Sequence, residues 1–135
     1  MRLWHYELIP FLPRSQLLAQ WRELNSIFAK EDRHVLINYI YEYPKSELLS
    51  YTELVLVEMR ARGFTIRTFD KMVRYFEGVE AESVPRPFSQ HHDATYLTIC
   101  YYNLYEKFLR GQKDYSTDEF QRLEKFYIEQ QKEPS

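Results

Sequence analysis

Apolar residues recur at steps of three and four along most of the chain. Leu17, Leu18, Trp21, Leu24, Ile27 and Phe28 mark one face of a helix over residues 14–29, and Pro13 suits the first turn that opens it. On the far side of that wheel Glu23 stacks with Gln16, Ala19 and Gln20, flanked by Arg22, so this polar face is expected to meet solvent or a ligand. His34 to Glu42 reads as a shorter helix stopped by Tyr43-Pro44, because the residue before a proline resists the α region. Pro44 then opens a longer helix to Arg62. Its Leu48, Leu49, Leu54, Val55, Leu56, Val57 and Met59 spread over most of the circumference, which marks a central, buried helix with Gly63 as its C-terminal cap.

Ile66, Phe69, Met72, Val73 and Phe76 predict a helix that buries them and stops at Gly78, with Arg67, Lys71 and Arg74 on its other face. Residues 77–92 hold Glu77, Glu80, Glu82, Pro85 and Pro87 without a sustained period and read as an acidic loop. Leu97, Cys100, Tyr101, Leu104 and Phe108 define a helix from Asp93 to Arg110, ended by Gly111. Ser116 with Glu119 is a capping box for the last helix, in which Phe120, Leu123 and Phe126 face inward, and the tail after Gln130 is expected to fray. No alternating strand pattern with a hairpin turn and no repeat is visible. The expected fold is all-α, one domain of five or six helices over residues 1–135, a length that suits a single core.

Lys and Arg total 18 against 20 Asp and Glu, a formal charge of −2, which argues against coating nucleic acid by bulk charge. Charge by segment narrows that conclusion. Residues 1–35 carry five Lys or Arg against four acids, and residues 60–75 carry five against one, so a local basic footprint is available. The single Cys100 cannot form an internal bridge, and no apolar run approaches the ~18 to 20 residues of a membrane span. Arg2, His5, Glu7 and Pro10 interrupt any signal-peptide core, so the chain is expected to be cytoplasmic. Arg2 is too large to favour removal of the initiator, so Met1 is expected to keep a free amine.

There is no Gly-rich phosphate loop, Ser nucleophile elbow, paired-Cys zinc spacing or HExxH, which removes kinase, dehydrogenase, hydrolase-elbow and zincin readings. His91-His92-Asp93 offers metal-ligand chemistry, completed by His5 or His34, and a metal-dependent hydrolase is one alternative. The simpler reading of Asp93 is a helix cap. Cys100 sits on an apolar stripe with no base beside it and reads as a buried small residue. Arg67, Lys71 and Arg74, at i, i+4 and i+7, form either a solvated helix face or a phosphate contact.

The run Met1-Arg2-Leu3-Trp4, followed by Gln16-Leu17-Leu18-Ala19-Gln20-Trp21-Arg22-Glu23-Leu24, resembles the pyrimidine-dimer DNA glycosylase/AP lyase family. His34-Val35-Leu36, Arg62-Gly63-Phe64-Thr65-Ile66 and Leu104-Tyr105-Glu106-Lys107 are similar to further segments of that family, in the same order. The resemblance implies a small all-α enzyme in which an N-terminal amine attacks the sugar C1′ of a damaged nucleotide, expels the base and leaves a Schiff base that permits strand cleavage. An α-amine suits that task because its unperturbed pKa, near ~8, leaves a nucleophilic fraction at neutral pH.

By resemblance Met1 supplies the amine and Glu23 the carboxylate that stabilises the cationic sugar and moves protons. Arg2, Arg14, Gln16, Arg22, His34 and Lys107 would contact DNA, with Trp4, His5 or Tyr6 stacking in the site. The implied partner is damaged double-stranded DNA, met by a monomer that needs no metal or organic cofactor. Met1 stands in place of the family's Thr amine, and Ser26, Gln16 and Asn103 stand where the family carries basic residues, which implies fewer phosphate contacts. A relative that binds DNA or another partner without dimer-specific chemistry is the other alternative.

Overall fold

Residues 1–132 are described by a computed structural model. A 3-10 turn at Tyr6–Phe11 precedes α1 (Arg14–Lys30), and a second at Asn38–Glu42 precedes α2 (Lys45–Ala61). They are followed by α3 (Asp70–Tyr75), α4 (Ala94–Leu109) and α5 (Thr117–Lys132), with no strand among the described residues. The all-α expectation therefore holds. No helix of the described residues is long and apolar enough to cross a membrane.

Local chemistry sets most of the boundaries. Gly63, at φ 80, turns the chain at the end of α2, where its N–H reaches the Arg60 carbonyl and that of Phe64 reaches Met59, both at 2.9 Å. Asp93 caps α4 by accepting from the Tyr96 N–H at 2.9 Å. The capping box of α5 is reciprocal: the Glu119 N–H donates to Ser116 Oγ at 3.1 Å, and the Ser116 N–H to Glu119 Oε1 at 3.3 Å. The loop expected over residues 77–92 contains no regular element.

The structure corrects four local expectations. Residues 34–42 do not form an α-helix: the His34 N–H donates to Asn38 Oδ1 at 2.7 Å and the Leu36 N–H to His34 Nδ1 at 3.1 Å, side-chain bonds that compete with the helical ladder. The helix expected over 66–76 shrinks to Asp70–Tyr75, started where Thr68 Oγ1 accepts from the Asp70 N–H at 3.1 Å. Its apolar stripe is only partly covered: Phe76 is buried, Ile66 and Met72 pack against the core, and Val73 is 66% exposed. The outer face of α2 is likewise uncovered at Val57 and Leu54. Finally, α5 continues to Lys132 instead of fraying after Gln130; the remaining tail, 133–135, lies outside the described residues.

In space, α1 crosses α2 and α3, α4 packs on α5, and the Tyr6–Phe11 turn sits between α2, α4 and α5. The N-terminal segment is thus the middle of the core: Leu3, Leu8, Ile9 and Leu12 are all but fully buried and meet Leu17, Leu24, Val55 and Leu104 in one cluster. Residues 1–5 are not helical, so their buried peptide groups need partners from elsewhere. Side chains supply them. The Leu3 carbonyl accepts from the Tyr96 hydroxyl at 2.5 Å and the Trp4 carbonyl from Tyr51 at 2.6 Å, while the Tyr6 N–H donates to His92 Nδ1 at 3.2 Å. Among the described residues no buried side-chain nitrogen or oxygen lacks a partner.

His92 and His5 are buried with stacked rings 5.4 Å apart, and burial holds both below the ordinary histidine range, His5 down to about 4. With His92 Nδ1 accepting from Tyr6, the proton of the neutral ring sits on Nε2, which faces the Tyr39 hydroxyl at 2.6 Å.

Two outcomes follow from this core. Both histidines are neutral when folded and take up a proton once unfolded below about pH 6.5. Their contribution is therefore complete above that pH and is lost as pH falls from about 6.5 toward 4. Urea midpoints should decline across that window in the wild type and less steeply in His92→Gln. Leu104→Ala removes a fully buried side chain and should cost about 2–5 kcal/mol in the same unfolding assay.

Candidate functional site

Gln20 is the polar residue on which the start of the chain is hung. It is fully buried one turn before Glu23, and its amide uses both ends. Oε1 accepts from the Trp4 N–H at 2.9 Å, and Nε2 donates to the Arg2 carbonyl and to Glu23 Oε2, each at 3.1 Å. The Tyr51 hydroxyl, donating to the Trp4 carbonyl, lies 3.0 Å from the same Gln20 oxygen. Residues 2–4 are thereby fastened along α1 at the turn that carries Glu23.

Glu23 is half-buried, and this burial raises its carboxyl pKa; the positive amine of Met1, a hydrogen bond from the Arg2 N–H and the charge of Arg22 oppose the shift. The terminal amine of Met1, 38% exposed, thus lies near enough to a partly desolvated carboxylate to act on its charge, although the two form none of the ion pairs among the described residues. Chemically this is a nucleophile with an adjacent proton acceptor, able to attack an electrophilic carbon and to receive the proton released.

Arg2 reaches Glu23 through its backbone while its guanidinium turns toward Tyr96, 5.9 Å from the ring centre, and Arg22 is exposed next to Glu23 on α1. The other expected contacts are spread out. Gln16 is half-buried about 10 Å back along α1, and Arg14 is exposed at its first residue, packed 5.3 Å over the Phe64 ring. His34 sits in an exposed turn beyond the other end of α1. Lys107, in the last turn of α4, is about 16 Å along that helix from Tyr96. The turn after it meets the start of α1, where the Ser15 N–H donates to Asp114 Oδ2 at 2.5 Å.

Other sequence expectations are corrected by burial. Trp4 and His5 are core residues with no open face, so of the three aromatic candidates only Tyr6 is partly exposed, stacked on His5 at 4.6 Å. The metal alternative finds no ligand set: no three His, Cys, Asp or Glu side chains converge among the described residues. His91 bonds Tyr43 at 2.6 Å, His92 is engaged with Tyr6 and Tyr39, Asp93 caps α4, and His34 is tied into its own turn. Burial pushes the Cys100 thiol up, which keeps it protonated as the sequence reading expects of a buried small residue.

Gln20, Tyr51 and Tyr96 were absent from the expected site, although Gln20 already shared the wheel position of Glu23. Replacing Gln20 by Leu leaves the Trp4 N–H and the Arg2 carbonyl without that partner. The expected loss is about 1–3 kcal/mol, read by urea unfolding, with Gln20→Glu at least as damaging because it sets a buried carboxyl oxygen against Glu23 and the Arg2 carbonyl.

A family model described as pyrimidine dimer DNA glycosylase matches residues 1–72, which is 72 of 135 residues and includes the first turn, α1, α2 and the opening of α3. No curated protein and no solved structure matches the chain. The matched stretch contains the Met1, Gln20 and Glu23 arrangement, and the chain belongs to the pyrimidine dimer DNA glycosylase family.

Proposed function

We propose that the chain, acting as a single domain over residues 1–135 and as a monomer, removes the damaged base of a UV pyrimidine dimer and then nicks the strand, using the Met1 amine and Glu23. The observation that carries this reading is a half-buried Glu23 carboxylate, bonded by Gln20 and within electrostatic reach of the terminal amine, in a chain of this family. In the proposed reaction the amine nitrogen bonds to C1′ while the N-glycosidic bond breaks and its electron pair leaves with the base. One proton passes from nitrogen to Glu23, and a proton is taken up by the departing base. The C1′–O4′ bond then opens with protonation of O4′, giving an imine that keeps one N–H proton and so carries the positive charge that acidifies C2′. Removal of that proton expels the 3′ phosphate and cleaves the strand.

Glu23 suits two roles in this sequence. Its negative charge stabilises the cationic sugar in a partly desolvated place, where a charge acts more strongly than in water. Its carboxylate is also a local acceptor for the protons that leave nitrogen and carbon. Arg2 and Arg22 would hold phosphates of the distorted nucleotide, with Arg14, Gln16, His34 and Lys107 as outlying contacts. Every group in this scheme belongs to the chain or the DNA, so the proposed route calls for no metal or organic cofactor.

Borohydride reduction on UV-irradiated duplex and on abasic duplex tests the reading. It expects a covalent adduct at Met1 with both substrates, located by mass spectrometry. An adduct with abasic DNA alone would mean a lyase of other specificity, and none with either, or a blocked Met1 amine in active protein, would end the amine mechanism. Glu23→Gln should lower single-turnover cleavage by at least about 100-fold while duplex binding persists. With the carboxyl raised above its ordinary 4.5, wild-type activity should fall on the acid side at a pH above that value.

A further inference from the structure

On the outer surface, where α1 faces α3, two shallow hollows run into one another. The first, about 500 Å³, is lined by Trp21, Arg22, Ser26, Lys30 and Lys71 among others. The second, about 450 Å³, adds Lys45 and Arg74 over Phe28 and Tyr75. Ala29 and Lys71 belong to both, so the two make one continuous groove. Five of its lining residues are cations and none is a carboxylate.

The cations in this groove are poorly neutralised. Arg22, Lys71 and Arg74 enter none of the ion pairs among the described residues, and Lys30 reaches Asp32 only at 3.9 Å. Like charges gathered with few carboxylate partners repel, so the arrangement gains from an anion held along it. The anion must be extended. Arg22 and Lys30 are eight residues apart on α1, about 12 Å, whereas a DNA strand presents a phosphate about every 3.4 Å along its axis. The groove also begins at Arg22, the neighbour of Glu23. Ser26, on the wall of the groove, gives its hydroxyl to the Asp32 carboxylate.

We propose that this groove binds the sugar–phosphate backbone of duplex DNA flanking the damaged nucleotide, with Lys71 and Arg74 as phosphate contacts outside the reaction centre. The proposal rests on the glycosylase reading above. Both side chains are exposed, so exchanging them should leave the fold unchanged by circular dichroism and thermal melting.

The test is fluorescence anisotropy with an uncleavable duplex carrying a reduced abasic site, across a salt series, for wild type, K71Q/R74Q and K71E/R74E. The double Gln variant should bind about tenfold more weakly, with the salt slope reduced by about 2, and the double Glu variant more weakly still. Single-turnover cleavage at saturating enzyme should be unchanged in K71Q/R74Q. Wild-type binding and cleavage with unaltered affinity and slope in both variants would overturn the groove alone. A wild type that neither binds nor cleaves would overturn the groove and the glycosylase reading together. Single-stranded RNA held more tightly than duplex DNA through the same two residues would overturn the assignment to DNA.

Discussion

Burying the start of a chain imposes a hydrogen-bonding debt that the rest of this structure is arranged to settle. The peptide groups of residues 2–6 leave water without a helix or sheet to receive them, and an unpaired buried peptide group costs on the order of 1–3 kcal/mol. Gln20 from α1, Tyr51 from α2, Tyr96 from α4 and His92 just before α4 each meet part of it. Three helices are thereby tied to one extended segment. Their relative placement follows from the partners that segment requires as much as from apolar contact.

The same constraint gives the terminus its chemical position. A chain end is ordinarily mobile, and fixing it lowers the entropy cost of presenting it in one geometry. Here residues 3–5 are locked in the core while Met1 remains at the surface, so the amine is anchored a few bonds from a rigid point yet open to a ligand. Gln20 couples the two halves of the site because one amide nitrogen reaches both the Arg2 carbonyl and Glu23. Burial raises the Glu23 pKa, while the positive amine beside it favours the ionised form. Such opposed influences on a half-buried carboxyl suit a group that both stabilises charge and exchanges protons.

Net charge misleads when read for the whole molecule. The chain is slightly acidic, yet the surface next to Glu23 is not: the hollows between α1 and α3 collect cations, whereas Glu77, Glu80 and Glu82 lie in the exposed loop beyond α3. Within a screening length of about 8–10 Å it is this local distribution, not the sum over the chain, that a polyanion meets. The uncovered apolar positions of α2 and α3, Val57 and Val73, show a related limit of pattern reading. A short helix at the edge buries one side of itself only where a neighbour exists, and α3, six residues long, has α1 on one side of it.

Helix type, most boundaries and the all-α class were legible along the chain because they depend on contacts within about one turn. Pro13 and Pro44 at helix starts, Gly63 at a helix end, Asp93 as a cap and the Ser116–Glu119 box act on their immediate neighbours. The failures at 34–42 and 66–76 were local too: His34, Asn38 and Thr68 bonded to nearby backbone and outweighed an apolar period too short to pay for a helix by itself. Glu23 and the amine were singled out by the resemblance of one run of residues to a family, not by periodicity. What only the tertiary structure decided is which polar residues turn inward. Nothing in the local pattern aims the polar ends of Gln20, Tyr51, Tyr96 and His92 inward, where they meet backbone groups lying 16, 47, 93 and 86 residues away in sequence. A hydrogen bond across such a separation exists only once the chain has folded, so the clamp that positions the candidate site has no signature in any local window.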